Sequence, residues 1–203
     1  LNLIGVRAHL STEMTETADI AAERAMDELL VLSAQLGDRA SFERLATRWN
    51  PRLTAHARRL LGEAEPARDA VQAAWVEMVR GLKGLRDPAA FPAWAYRIVT
   101  RRCAAVIGGR RRDRALAVDA AREAAIVVED APARDAADDH ARLRAAVRAL
   151  PPDQRATVAL HHFEGLSVAE TAVALDVPAG TVKTRLMHAR RKLRTTLEGD
   201  IHD

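Results

Sequence analysis

Cysteine, aromatic residues and long apolar runs are all scarce in this chain of 203 residues. A single cysteine, Cys103, excludes an internal disulfide and a cysteine-built zinc site, because each needs a second thiol. The expectation for it is a buried or half-buried thiol on a helix. The longest apolar stretches, such as Ala156 to Leu160, fall far short of the roughly 20 residues that cross a bilayer. The N-terminus lacks the basic start and apolar core of a signal peptide. No membrane insertion and a cytoplasmic location are therefore expected. With 3% aromatics and few β-branched runs there is little to build strands from.

What is present is 48% hydrophobic residues set among Ala, Leu, Arg and Glu at three-to-four-residue spacing, which predicts an all-α protein. The chain starts at Leu1; Met14 and Met26 are both plausible starts, and the segment before Met26 has little to pack.

Charge divides the chain. Residues 1–38 carry a net −5 and read as a partly disordered leader, whereas Arg39 to Arg112 sets sixteen Lys and Arg against six Asp and Glu. Asp113 to His140 is again −5, and Ala141 to Asp203 is +3. Residues 113–140 are rich in Ala and Asp, contain Pro132 and lack an apolar stripe, so they predict a flexible acidic linker, partly helical, between two small domains at 39–112 and 141–198, with a short tail at 199–203. Two basic modules on a tether suit a polyanion.

In the second module Asp139 to Leu150 is a helix, with Leu143, Val147 and Leu150 on its apolar side, that stops at Pro151-Pro152. Asp153 to Phe163 forms the next, anchored by Val158, Leu160 and Phe163, before Gly165. Ser167 with Glu170 is a capping box opening a helix to Leu175. After the turn Asp176-Val177, Pro178 begins a last helix with Val182 and Leu186 inward and Lys183, Thr184, Arg185, His188 and Arg191 outward. A short helix, a tight turn and a second helix presenting cations is the helix-turn-helix design for a major groove; Met187 suits a thymine methyl.

The run Leu150 to Arg194 resembles the fourth conserved region of extracytoplasmic-function (ECF) RNA polymerase sigma factors, which binds the minus-thirty-five element. That resemblance places Thr181, Lys183, Thr184, Arg185, Met187 and His188 at or beside the base-reading face, with Arg155 and the basic tail Arg190, Arg191 and Lys192 toward phosphate. His188 stands where Arg is common.

In the first module, Phe42 to Leu61 and Arg68 to Leu82 are helices, the second with Val71, Trp75, Met78 and Val79 on its apolar side. A third follows Pro88, with Phe91, Trp94, Ala95 and Ile98 inward and Arg97, Arg101 and Arg102 beyond. Trp94 and Tyr96 beside these cations suit single-stranded DNA, which stacks on aromatic faces. Asp69 to Val99 is similar to the second conserved region of the same family. The resemblance implies docking on core polymerase through Asp69 and Gln72, with Arg68, Trp75 and Glu77 nearby, and capture of the melted minus-ten strand by the aromatic helix. Arg101 and Ala105 stand where the family usually has Asn and Asp, and Gly108-Gly109 should fray the helix end.

The implied protein is a sigma factor with core RNA polymerase, promoter DNA and an anti-sigma factor as partners, and with no cofactor or metal. A sigma-like decoy or adaptor that does not melt promoters is the alternative. A plain helix-turn-helix repressor leaves Asp69 and Gln72 without purpose. An enzyme is disfavoured: His161 and His162 are adjacent rather than four apart, and there is no Gly-rich phosphate loop or nucleophile motif.

Overall fold

The computed structural model describes residues 21–121 and 139–199, which are helical with no strand among them. The first unit comprises α1 (residues 21–35), α2 (Arg39–Leu61), α3 (Ala64–Gly81) and α4 (Phe91–Ala121). Two single-turn 3-10 helices, Leu82–Gly84 and Pro88–Ala90, link α3 to α4. The second unit comprises α5 (Asp139–Ala149), α6 (Pro152–Val158), α7 (Val168–Leu175) and α8 (Ala179–Gly199). Residues 1–20, 122–138 and 200–203 lie outside the described residues, so most of the expected linker does too; its first residues, through Ala121, continue α4.

Local rules start and stop these helices. Asp38 caps α2, accepting from the Ala40 amide at 3.0 Å and from the Ser41 hydroxyl at 2.6 Å. The capping box at Ser167 and Glu170 is complete, with both reciprocal bonds made, at 3.2 and 2.7 Å. Asp176 ends α7 in the left-handed region at φ 56°, which a short polar side chain tolerates. At Gly81 a Cβ would lie 3.0 Å from the Trp94 ring, so the α3–α4 crossing there depends on glycine.

One departure concerns the leader. Residues 21–35 are a packed helix, with Val31 and Leu30 in the core. Asp27 meets Arg48 at 2.8 Å, Glu23 meets Arg52 at 2.8 Å, and the Gln35 amide donates to the carbonyls of Leu82 and Leu85. Glu23 and Asp27, part of the acidity that marked the segment as a separate leader, are counter-charges of α2. A second departure is that Gly108-Gly109 do not end α4. Val106 and Ile107 pack at the core's edge, and Arg110 grips Glu63 bidentately at 2.7 and 3.1 Å, which offsets the low propensity of two glycines. Leu143, Phe163 and Val79, expected inside, are exposed.

The two units are in contact. Ala156, Ala159, Leu160, Leu166 and Ala174 of the second unit continue the buried cluster built on Leu45, Trp49, Leu53, Phe91 and Tyr96 of the first. Small residues let α7 lie closely on α4, while α2 meets α6 and the segment after it. That segment, Ala159–Phe163, is one π-type turn, in which the Glu164 amide bonds back five residues to Ala159 at 3.1 Å. Gly165, at φ 69°, then lets the Leu166 amide reach the Leu160 carbonyl at 3.1 Å.

His56 sits wholly inside this core, its Nε2 2.9 Å from the Thr100 hydroxyl and its Nδ1 without a partner. Burial, aided by the Arg59 charge, pushes the imidazole down to about 3. An unfolded chain takes up this proton near pH 6.5, so the contribution of neutral His56 is complete above pH 6.5 and is lost as pH falls toward 3. We expect urea denaturation at pH 7.5, 6.0 and 5.0 to show unfolding free energy declining by up to about 1.4 kcal/mol per pH unit from this group. His56→Gln should flatten that slope whatever its absolute stability; an unchanged slope would exclude His56 as its source.

Candidate polymerase and promoter interfaces

Three surfaces collect the residues singled out by the sequence. On α3, Arg68, Asp69 and Gln72 are exposed, and Val76 and Val79 extend the same face at four and seven residues beyond Gln72, 50% and 56% exposed. Val79 was missed as a surface residue because it was read into the apolar stripe of Val71, Trp75 and Met78, and Val76 was not considered; the spacing of both from Gln72 was the available signal. Trp75 is half-buried, donating from its indole N–H to Asn50 at 3.1 Å and meeting Phe42 edge-on, so it forms a wall behind the face. Glu77 points elsewhere, to Arg101 and Arg102 on α4. Burial alone would raise its carboxyl, but hydrogen bonds from the two guanidinium groups outweigh that and hold it low.

On α4 the expected strand-binding set is engaged within the protein. Tyr96 is a core residue, 2% exposed, packed edge-on against Trp49 and His56. Its ring has no free face for a base, which corrects the expectation that it stacks on DNA. Trp94 is half-buried against Phe91 and Gly81. Arg97 pairs with Asp176 at 2.8 Å, and Arg101 and Arg102 with Glu77. The side of α4 bearing Arg97 and Arg101 faces the end of α7, across a cavity of about 520 Å³.

On α8 the agreement is close. Val182, Leu186 and Ala189 are buried, and Lys183, Thr184, Met187, His188 and Arg191 are exposed on one side. Thr181 is half-buried near the cap. Arg185 does not join the outward face: it turns back to Asp153 at 2.9 Å and fixes α8 on α6. Arg155 is also displaced from this face. It donates to the Arg148 carbonyl at 2.9 Å and lines the cavity facing α4. Arg190, expected with Arg191 and Lys192 toward phosphate, lines a groove with Lys183, Met187 and Arg191.

The residue with no sequence signal is Glu164. Its side chain is 6% exposed and accepts from the Tyr96 hydroxyl at 2.6 Å and from Arg59 at 2.5 Å. Burial drives its carboxyl upward, against the Tyr96 hydrogen bond and the Arg59 and Arg52 charges; burial first, and then this carboxylate, raise the Tyr96 phenol. His56 Nδ1 approaches it at 3.8 Å but is no ion-pair partner, because burial keeps the imidazole neutral. Arg59 also lies over the Phe163 ring at 4.8 Å. Across the same junction Arg24 meets Glu170 at 3.6 Å.

The described residues form an all-helical pair of units, one ending in a helix-turn-helix with an exposed cationic helix and the other showing an exposed polar and aliphatic face on α3. The comparisons make the class specific. "Sigma-70 region 2" matches residues 45–115 and "Sigma-70, region 4" matches residues 140–193. The RNA polymerase sigma-H factor of Pseudomonas aeruginosa is 30% identical over 181 residues, covering 85% of this chain and 94% of that protein. The ECF RNA polymerase sigma factor SigM of Mycobacterium tuberculosis is 35% identical over 175 residues, covering 86% of each. In fold the chain is similar to CnrH, solved in complex with the cytosolic domain of CnrY, at a TM-score of 0.65 and 24% identity, over 86% of this chain and 99% of that one. It is also similar to RpoE of Bartonella quintana, solved with the anti-sigma factor NepR, at a TM-score of 0.59 and 24% identity, over 77% and 96%. The chain belongs to the ECF group of the sigma-70 family of RNA polymerase sigma factors.

Tyr96→Phe separates the two roles open to Tyr96. It keeps a ring but removes the donor to a buried carboxylate, so we expect a loss of about 1.5–3 kcal/mol and a looser junction in solution scattering. Affinity for single-stranded DNA should not fall. Unchanged stability with weakened strand binding would return Tyr96 to the DNA-contact set.

Proposed function

We propose that this sigma factor docks on core RNA polymerase through the α3 face of Asp69, Gln72, Val76 and Val79 and directs promoter-specific initiation. On this reading α8 reads the minus-thirty-five element through Lys183, Thr184, Met187 and His188, Arg191 holds phosphate, and α4 takes the melted minus-ten strand. The observation that carries it is the division of the surface. The α3 and α8 faces stand exposed, whereas α7 lies along α4 and its Asp176 holds Arg97 by an ion pair. The packed arrangement is then an idle form: promoter opening requires the second unit to leave α4. An anti-sigma partner would act by favouring this packing; RpoE of Bartonella quintana was solved with one, NepR.

A second reading, the decoy that binds polymerase without melting promoters, is favoured by one observation. Arg101 occupies a position where a donor-and-acceptor amide is usual in the family, and Glu77 holds its guanidinium. Run-off transcription with purified core polymerase on genomic fragments decides between them. Start sites dependent on this chain support the sigma factor; no transcript from the wild type, with activity gained by Arg101→Asn and Ala105→Asp together, supports the decoy.

Asp69→Ala with Gln72→Ala should abolish transcription through loss of core affinity, with the helical spectrum unchanged, since both side chains are exposed. A pull-down showing wild-type core affinity overturns the docking face. Lys183→Ala or Thr184→Ala should reduce discrimination between cognate and scrambled duplexes by about 1–3 kcal/mol. Arg191→Ala should instead weaken binding to both duplexes alike and lower its salt dependence; equal losses on both duplexes for all three variants would remove the assigned reading face.

A further inference from the structure

The cavity between α4 and the second unit is built mainly of arginine and aliphatic side chains. Arg97, Arg101 and Arg111 line it from α4, and Arg155 and Arg185 from the second unit, with Leu60, Ile107, Leu175 and Val177 as apolar walls. Its acidic lining is Asp153 and Asp176, and both are already engaged, by Arg185 and Arg97, at 2.9 and 2.8 Å. Arg101 is turned toward Glu77. Two cations remain. The buried Nε of Arg155 has no hydrogen-bond partner, although its Nη1 donates to the Arg148 carbonyl, and Arg111 is exposed. Burial and then the Arg111 charge lower the Arg155 guanidinium. Two guanidinium groups that line one cavity from the two units offer a donor fork that fits phosphate oxygens.

We propose that this cavity binds a nucleoside polyphosphate, its phosphates between Arg111 and Arg155 and its base on the apolar wall of Leu60, Ile107, Leu175 and Val177. The volume of about 520 Å³ lies within the span usual for small-molecule sites, roughly 300–1,000 Å³. Because Arg111 comes from the first unit and Arg155 from the second, the ligand ties the units together and holds α4 covered. The cavity shares Arg97 and Arg101 with the side of α4 proposed to take the melted strand, but binding of a small anion is measured without polymerase or promoter.

Isothermal titration of the full chain at physiological salt with ATP, and separately with pyrophosphate, tests this. One saturable site is expected, with ATP at least about tenfold tighter than pyrophosphate, since pyrophosphate leaves the apolar wall empty. Arg111→Gln and Arg155→Gln should each weaken ATP by about tenfold or more, as expected for loss of a charge-assisted bond, while Arg80→Gln, an exposed arginine on α3 away from the cavity, should not change it. Equal affinity for pyrophosphate and ATP overturns the nucleotide assignment. An effect of Arg111→Gln without one of Arg155→Gln overturns the location between the units, and equal effects of all three substitutions reduce the binding to general attraction by a basic surface. These outcomes are independent of whether the chain initiates transcription.

Discussion

A carboxylate that is almost wholly removed from water has to be answered by donors, and at Glu164 every donor comes from the other unit of the protein. Tyr96 and Arg59 cannot satisfy it unless α2 and α4 lie against the turn after α6, and Glu164 cannot hydrate unless they part. The apolar contacts of Leu160, Leu166 and Ala174 accompany this constraint, but apolar contact is non-directional and would permit several orientations. The short bonds at Glu164, with Arg97 to Asp176 at the far end of α7, select one. From that single orientation follow the covering of α4, the burial of Tyr96 and the cavity in which Arg111 and Arg155 meet.

What could be read from the sequence was what is decided locally. The capping box, the paired prolines, the Asp176 turn and the spacing of Val182 and Leu186 each act within one helical turn, and α7 and α8 stand where they predict. The exposed Asp69 and Gln72 were likewise legible from family resemblance and helical spacing. Errors gathered where partners are distant in sequence. Tyr96 is separated from Glu164 by 68 residues, and an aromatic beside arginines reads as a nucleic-acid platform until the carboxylate that claims it is seen. The residues of α1 were set aside for their acidity, although that acidity is the complement of Arg48 and Arg52. Leu143 and Phe163 failed for a related reason: a helical stripe marks which side is apolar but not how far the covering element extends.

Net charge misleads in the same way. The strong positive balance of residues 39–112 suggests an open cationic surface, yet Arg48, Arg52, Arg59, Arg97, Arg101, Arg102 and Arg110 all have carboxylate partners. Several of those carboxylates lie outside the segment, in α1 and in the second unit. The field that a polyanion meets is therefore set by packing as much as by composition, and separating the units uncovers Arg59 and Arg97 without any change in covalent structure.

The single π-type turn at Ala159–Phe163 has a bearing on how such proteins diverge. A turn with a five-residue bond holds one residue more than an ordinary helical turn, and each residue of helix corresponds to about 100° of rotation. Glu164 is aimed at Tyr96 by that one additional residue. Loss of a single codon in this stretch would swing the carboxylate out of the junction while the capping box of α7 and the cluster of Val158, Val182, Leu186 and Ala189 lie outside it, so the coupling of the two units is exposed to one insertion or deletion.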